Sequence, residues 1–92
     1  MKKIKKRNGQ VVSFDDEKIT NAVLKAMLAA NEGDLNDAKK VSQKVVGKLA
    51  TKYGNENTPD IEDIQDLVEE TLILEEFAKT AKAYILDRKS VV

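Results

Sequence analysis

The stretch Lys3-Ile4-Lys5-Lys6-Arg7-Asn8-Gly9-Gln10-Val11-Val12-Ser13-Phe14-Asp15-Asp16-Glu17-Lys18-Ile19 decides how the rest of the chain is read. Asn8-Gly9 is a strong hairpin signal, because a two-residue type I′ turn needs positive φ at both central positions and these residue types tolerate it best. A hairpin over residues 3–14 follows, with Arg7 opposite Gln10, Lys6 opposite Val11, Lys5 opposite Val12 and Ile4 opposite Ser13. In that register Lys3, Lys5, Arg7, Val12 and Phe14 share one face, and Ile4, Lys6, Val11 and Ser13 share the other. Neither face is cleanly apolar, and the mixing hints that some of the cations address a ligand. The plainer reading is a solvated, charged edge that discourages strand pairing.

Working outward, the chain turns to helical periodicity. Asp15 suits an amino-terminal cap, with Phe14 before it and Ile19 four residues on as a hydrophobic staple. Ile19, Ala22, Val23, Ala26, Met27 and Ala30 then recur at three- and four-residue spacing, which predicts a helix over about 16–30. Asn31-Glu32-Gly33 ends it. Asp34 caps a second helix over 35–53, striped by Leu35, Ala38, Val41, Val45 and Leu49 and stopped by Gly54. Gly47 inside it lowers helix propensity and suggests a close helix crossing. Residues 55–58 leave room for a turn or a short third strand beside the hairpin, and Pro59 holds Thr58 extended. Asp60 is placed to cap a third helix over about 61–73 with the stripe Ile61, Ile64, Leu67, Val68, Thr71 and Leu72. Glu75-Glu76 is the expected break before a fourth helix over 76–88, whose inward side is Phe77, Ala78, Ala81, Tyr84, Ile85 and Arg88; one continuous helix is the alternative. Ser90-Val91-Val92 reads as a frayed end or the start of a further segment. The fold class is α+β, mostly α: a small four-helix bundle capped by an amino-terminal β-hairpin plus a short third strand.

Composition narrows function. Ninety-two residues, 41% hydrophobic and 35% charged, make one small globular domain. With no cysteine and no histidine, thiol chemistry, zinc sites of the usual donors and histidine-based acid–base work are excluded. Ser13, Ser42 and Ser90 lack a histidine partner, and no glycine-rich phosphate loop of known spacing occurs. The acid pairs Asp15-Asp16 and Glu75-Glu76 read as cap or solvent groups, so the chain is expected not to be an enzyme. No apolar run reaches a membrane-spanning length and none follows the basic start as a signal peptide requires, so no membrane partner and a cytoplasmic location are expected. Formal net charge is zero, but the cations crowd the amino end while residues 60–78 hold eight acids and no Lys or Arg. That segregation suits a local anion site better than the long basic groove of a nucleic-acid binder, so nucleic acid is not the expected partner.

Ile4-Lys5-Lys6-Arg7-Asn8-Gly9, Phe14-Asp15-Asp16-Glu17-Lys18-Ile19, Glu62-Asp63-Ile64-Gln65-Asp66-Leu67-Val68-Glu69 and Ala81-Lys82-Ala83-Tyr84-Ile85-Leu86-Asp87-Arg88 together resemble, in this order, the motifs of one family. It is the ATP-cone, the regulatory nucleotide-binding domain at the amino end of many ribonucleotide reductases and in the repressor of their genes. The resemblance implies a helical bundle covered by a three-stranded sheet, and a ligand that is ATP or dATP with Mg2+, the ion held through the phosphates rather than by protein ligands. It puts Lys6 and Arg7, beside Asn8, at the phosphates, with Lys18 and Arg88 as further cations; a triphosphate calls for cations and helix amino-terminal N–H groups. Ile4, Ile19 and Tyr84 would enclose the base, and Gln65 would address the nucleoside. The partners implied are an adenine nucleotide and the catalytic domain of a ribonucleotide reductase or another cone. The sequence departs from the family pattern at Val12, where many members have glutamate, at Ile61, where some have threonine, at Asp87, a frequent tyrosine, and at Glu76, a common glycine. The competing expectations are a helical protein-interaction module that docks through its acidic third helix, and a nucleic-acid accessory domain.

Overall fold

A computed structural model describes residues 3–6, 8–54 and 58–90, with the backbone alone for 88–90. Its elements run β1 (Lys3–Lys5), β2 (Val11–Ser13), α1 (Asp16–Ala30), α2 (Leu35–Tyr53), α3 (Ile61–Leu74) and α4 (Ala78–Ser90). The chain is therefore α+β and mostly helical, four helices with an antiparallel hairpin at the amino end.

The hairpin register differs by one residue from the sequence expectation. Lys3 pairs with Ser13, Ile4 with Val12 and Lys5 with Val11. The Lys6 N–H donates to the Gln10 carbonyl at 2.8 Å and the Gly9 N–H to the Lys6 carbonyl at 2.9 Å, so Lys6 and Gln10 close the loop in place of Arg7 and Gln10. Gly9 has φ 86°, the left-handed conformation that three-residue hairpin loops require at their last position. The Asn8 side chain accepts from the Gln10 N–H at 3.0 Å and stiffens the same loop. Shifting the register by one re-sorts the faces. Ile4, Val12 and Phe14 now lie half-buried toward the helices, while Lys3, Lys5, Val11 and Ser13 are exposed. The hairpin does have an apolar face, and mixed faces were an artefact of the two-residue turn.

Among the described residues, one contact lies where the third strand is expected. Lys5 donates its N–H to the Pro59 carbonyl at 2.9 Å and makes a single parallel bridge with Asp60. Of the strand expected over 55–58, residues 55–57 lie outside the described residues, as do Val91 and Val92 of the expected frayed end.

Each helix is bounded by local chemistry. Asp15 accepts from the Glu17 N–H at 3.0 Å, and Phe14 packs against the core near Ile19. Asp34 and Asp37 form a reciprocal capping box at α2. Asp60 stands at the amino end of α3, but its side chain makes no capping bond there; only its carbonyl is used, by Asp63 and Ile64. α1 ends with Asn31 at φ 53° and α3 with Glu76 at φ 67°. In both, the residue after the left-handed one donates back across six residues, Glu32 to Met27 at 2.9 Å and Phe77 to Leu72 at 2.8 Å. That turn separates α3 from α4, although Glu is a poor residue for it.

α1 packs on α2 and α4, and α3 packs on the same two. The pairs Lys25–Asp87 and Glu32–Thr80 show α4 antiparallel to α1, and Lys48–Thr71 with Lys44–Glu75 show α3 antiparallel to α2. Val23, Met27, Val41, Val45, Leu49, Val68 and Leu72 form the centre of the core, each at most 1% exposed. Three buried polar side chains sit among them, each bonded: Ser42 to the Asp16 carbonyl, Thr71 to the Leu67 carbonyl, and Thr80 to Glu32. The Glu32 carboxylate also takes the Thr80 N–H at 3.0 Å, so the α1–α2 loop caps the first turn of α4. At the far end of α2, burial raises the Tyr53 phenol pKa above 10.0, helped by its hydrogen bond to Asp63 and by the charges of Asp63 and Asp60.

Gly47 does not serve a close crossing. A Cβ built there meets nothing within 4 Å, and the residue is exposed. Gly47→Ala should therefore stabilise the fold by about 1 kcal/mol, read from denaturant midpoints at unchanged slope. Glu76→Gly should remove a left-handed strain of about 1–2 kcal/mol, and for a domain of this size raise the melting temperature by roughly 4–8 °C per kcal/mol.

Candidate functional site

The hairpin's apolar face does not lie flat on the bundle. It leaves a cleft of about 910 Å³ between itself, the first turns of α1 and α3, and the middle of α4. β1 and its turn contribute Ile4, Lys6 and Asn8, and β2 contributes Val12 and Ser13. The lead into α1 supplies Phe14, Asp15, Lys18, Ile19 and Ala22. α3 brings Ile61, Ile64 and Gln65, and α4 brings Tyr84. Helical spacing explains the choice. Lys18 and Ala22 are four apart on α1, as are Ile61 and Gln65 on α3, so each helix presents one stripe to the opening.

Of the residues nominated from sequence, Ile4, Lys6, Asn8, Lys18, Ile19, Gln65 and Tyr84 line this one cleft. They come from four separate elements and from positions as far apart as 4 and 84. Arg7 lies outside the described residues, and Arg88 belongs to α4 with its side chain outside them. Val12 and Ile61, noted as departures from the family pattern, are both in the cleft wall and make it apolar where a carboxylate or hydroxyl would otherwise stand. Sequence reading gave Phe14, Ala22 and Ile64 to folding alone. Their place in the wall follows from the corrected register and from the gap the hairpin leaves.

The electrostatics divide the cleft. Lys6 and Lys18 are exposed cations at its rim, while Ile19, Ile64 and Tyr84 are its buried floor at 8%, 3% and 9% exposure. Helix α1 offers less as an anion site than its position suggests. The Glu17 N–H is taken by the Asp15 carboxylate and the Lys18 N–H by the Asp15 carbonyl, and Asp16 and Glu17 add negative charge to that turn. The lysine side chain, not the helix end, is the group in the first turn of α1 that attracts an anion. A second hollow of about 510 Å³ joins Lys5, Lys6, Asn8 and Gly9 to the start of α3. Lys6 borders both. Among the described residues no three acidic side chains converge as a metal site, and no helix is long and apolar enough to cross a membrane.

The pattern of the whole chain matches the model of the ATP cone domain over residues 2–90. The chain belongs to the ATP-cone family. Three relatives carry it within longer proteins. The vitamin B12-dependent ribonucleoside-diphosphate reductase of Thermoplasma acidophilum is 40% identical over 94 residues, covering 97% of this chain and 12% of that protein. The anaerobic ribonucleoside-triphosphate reductase of Haemophilus influenzae is 34% identical over 80 residues, 87% of this chain and 11% of the reductase. The ribonucleoside-diphosphate reductase subunit alpha of Chlamydia muridarum is 34% identical over 93 residues, 92% and 9%. This cone thus spans about a tenth of the length of the curated relatives it matches.

The burial pattern separates the roles these side chains play in the cone. Lys6→Ala and Lys18→Ala, both at exposed positions, should leave stability within about 0.5 kcal/mol of the parent in a thermal melt. Tyr84→Ala should cost about 3 kcal/mol, because it empties a buried aromatic position.

Proposed function

We propose that this cone is a regulatory module that binds ATP or dATP in the cleft between hairpin and bundle and has no catalytic residues of its own. The observation that carries the reading is the convergence of Ile4, Lys6, Asn8, Lys18, Ile19, Gln65 and Tyr84 on one opening with an apolar floor and a cationic rim. Its volume of about 910 Å³ is within the range of small-molecule sites. In this reading Ile4, Ile19 and Tyr84, together with Val12 and Ile61, hold the base by dispersion and exclusion of water. Gln65 orients the nucleoside. Lys6, Arg7, Lys18 and Arg88, with Asn8 fixing the loop, meet the phosphates. Mg2+ is carried by the phosphate oxygens, since among the described residues no three acidic side chains converge. The ion's contribution is to neutralise phosphate charge.

A ligand in this position touches β1, β2, α1, α3 and α4 at once. It alters their arrangement only to the extent that it binds one arrangement better than another, and ATP and dATP differ by a single ribose hydroxyl on which such a difference must rest. The regulated partner is the catalytic domain of a ribonucleotide reductase-type enzyme or another cone, in a cytoplasmic setting.

Titration calorimetry with ATP, dATP and GTP, each with Mg2+, tests the reading. Adenine nucleotides should bind, and Lys6→Ala/Arg7→Ala should weaken them by tenfold or more, the loss of charge-assisted bonds worth about 1.5–3 kcal/mol. No heat of binding at millimolar ATP or dATP would sink the proposal, and unchanged affinity in the double variant would move the site out of this cleft.

A further inference from the structure

Asn8-Gly9 closes the hairpin loop, and the same pair is chemically reactive. An asparagine carboxamide is open to attack at Cγ by the main-chain nitrogen of the next residue, and a glycine there puts no side chain in the way. Both residues are exposed, and a Cβ built on Gly9 would meet nothing within 4 Å. The fold adds two opposing effects. The Gln10 N–H donates to Asn8 Oδ1 at 3.0 Å, which draws electron density from Cγ and meets the oxyanion that forms when Cγ is attacked. The same bond folds the carboxamide back over the Gly9 main chain. Against this, the Gly9 N–H donates to the Lys6 carbonyl at 2.9 Å and must be freed before its nitrogen attacks. An exposed bond of that kind slows the step by about tenfold at most, and the tip of a hairpin with three-residue strands is among the first places to open. The polarised carboxamide and the bare glycine therefore prevail. Asn21 and Asn36 lie inside α1 and α2 and Asn31 at the end of α1, and each is followed by a residue with a side chain.

We propose that Asn8 is a self-modification site that converts to aspartate and isoaspartate, and that the isoaspartyl product disables the nucleotide cleft. The Gly9 nitrogen gives its proton to hydroxide and forms a bond to Asn8 Cγ. The Cγ–Nδ2 bond then breaks, and ammonia leaves with a proton taken from water. Water opens the resulting five-membered imide either at Cγ, giving aspartate, or at the former main-chain carbonyl, giving isoaspartate. The net change is one water consumed and one ammonia released, with nothing oxidised or reduced. Aspartate keeps an acceptor for the Gln10 N–H. Isoaspartate does not keep the loop, because its main chain runs through Cβ and Cγ and is one atom longer. Lys6 and Gln10 then no longer close three residues around Gly9 at φ 86°. Lys6 owes its place at the cleft rim to that closure, and Asn8 borders both the cleft and the hollow beside it, so the break falls on the cationic wall.

The conversion needs no ligand, whereas its effect on the cleft rests on the nucleotide reading. The test incubates the folded chain at neutral and mildly alkaline pH, digests it with trypsin under mildly acidic conditions that halt conversion, and resolves the peptide of residues 8–18 by chromatography with mass detection. Asn8 should give way to two acidic products at a rate that rises with hydroxide, while Asn21, Asn31 and Asn36 stay intact. Asn8→Gln should abolish the mass gain in that peptide. A chain synthesised with isoaspartate at position 8 should bind ATP about tenfold more weakly than Asn8→Asp, which carries the same charge on an ordinary main chain. An Asn8 that stays intact in the folded chain while the urea-unfolded chain converts overturns the proposal, as does a mass gain that persists in Asn8→Gln. Equal ATP affinity of the isoaspartyl chain and Asn8→Asp overturns the effect on the cleft. A parent chain that binds no adenine nucleotide refutes the nucleotide reading and, with it, that effect, but not the conversion.

Discussion

The register of one short hairpin governs what the amino end of this cone can do. Ile4 opposite Val12 places both on the bundle side together with Phe14, and sends Lys3, Lys5 and Ser13 to solvent. Because side chains alternate along a strand, no intermediate arrangement exists. Gly9 decides the matter through its backbone. Its left-handed conformation closes a three-residue loop, and Lys6 is thereby left at the cleft rim on the same alternation as Ile4. The mixed faces read from the sequence suggested a ligand for the wrong reason. With the faces properly sorted, the apolar side of the hairpin still does not complete the core, and the space it leaves is the cleft.

What was legible in the sequence follows from how strongly each signal is tied to a local cause. The helices were readable because their stripes repeat at the helical period and because Asp15, Asp34 and Gly54 end them by side-chain or backbone chemistry that acts within a few residues. The turn between α3 and α4 carried no such mark, since the left-handed position is filled by Glu76, whose side chain does not announce the conformation. Asp60 looked like a cap and is one only by place. Its neighbour Pro59 spends its carbonyl on Lys5, a long-range constraint that local reading could not contain. Thr80 and Ser42 escaped notice as core residues for a related reason. Their burial is tolerated through partners at Glu32 and Asp16, distant in sequence.

The cleft residues were legible through motif order rather than through physics. Lys6, Lys18, Gln65 and Tyr84 have no common periodicity, and nothing in spacing alone brings 4 and 84 together. The wall residues that motif comparison marked as exceptions, Val12 and Ile61, turn out to be neighbours of the nominated ones. Together they make the opening more apolar than the family pattern implies. On the proposed reading β2 offers no carboxylate to the ribose, and the uncharged polar side chains left in the wall to meet it are Asn8, Ser13 and Gln65.

The bundle also separates two kinds of surface. The cleft gathers elements from both ends of the chain, so a ligand that binds one seating of the hairpin on α1, α3 and α4 better than another shifts the chain toward that seating. The α2–α3 face is built from the middle of the chain and is joined to the cleft through α3, whose first turns line the opening, and through α1, on which α2 packs and whose Asp16 carbonyl accepts from Ser42. A tilt of α3 would therefore be felt at both. Its amino end is tied to the hairpin by the Lys5 N–H on the Pro59 carbonyl, and its carboxyl end is fixed by the Glu76 turn and by Lys44 on Glu75. On the reading proposed above, a nucleotide in the cleft bears on a helix held at one end by the hairpin and at the other by α2, so a displacement of its first turns is passed to α2 without a longer path.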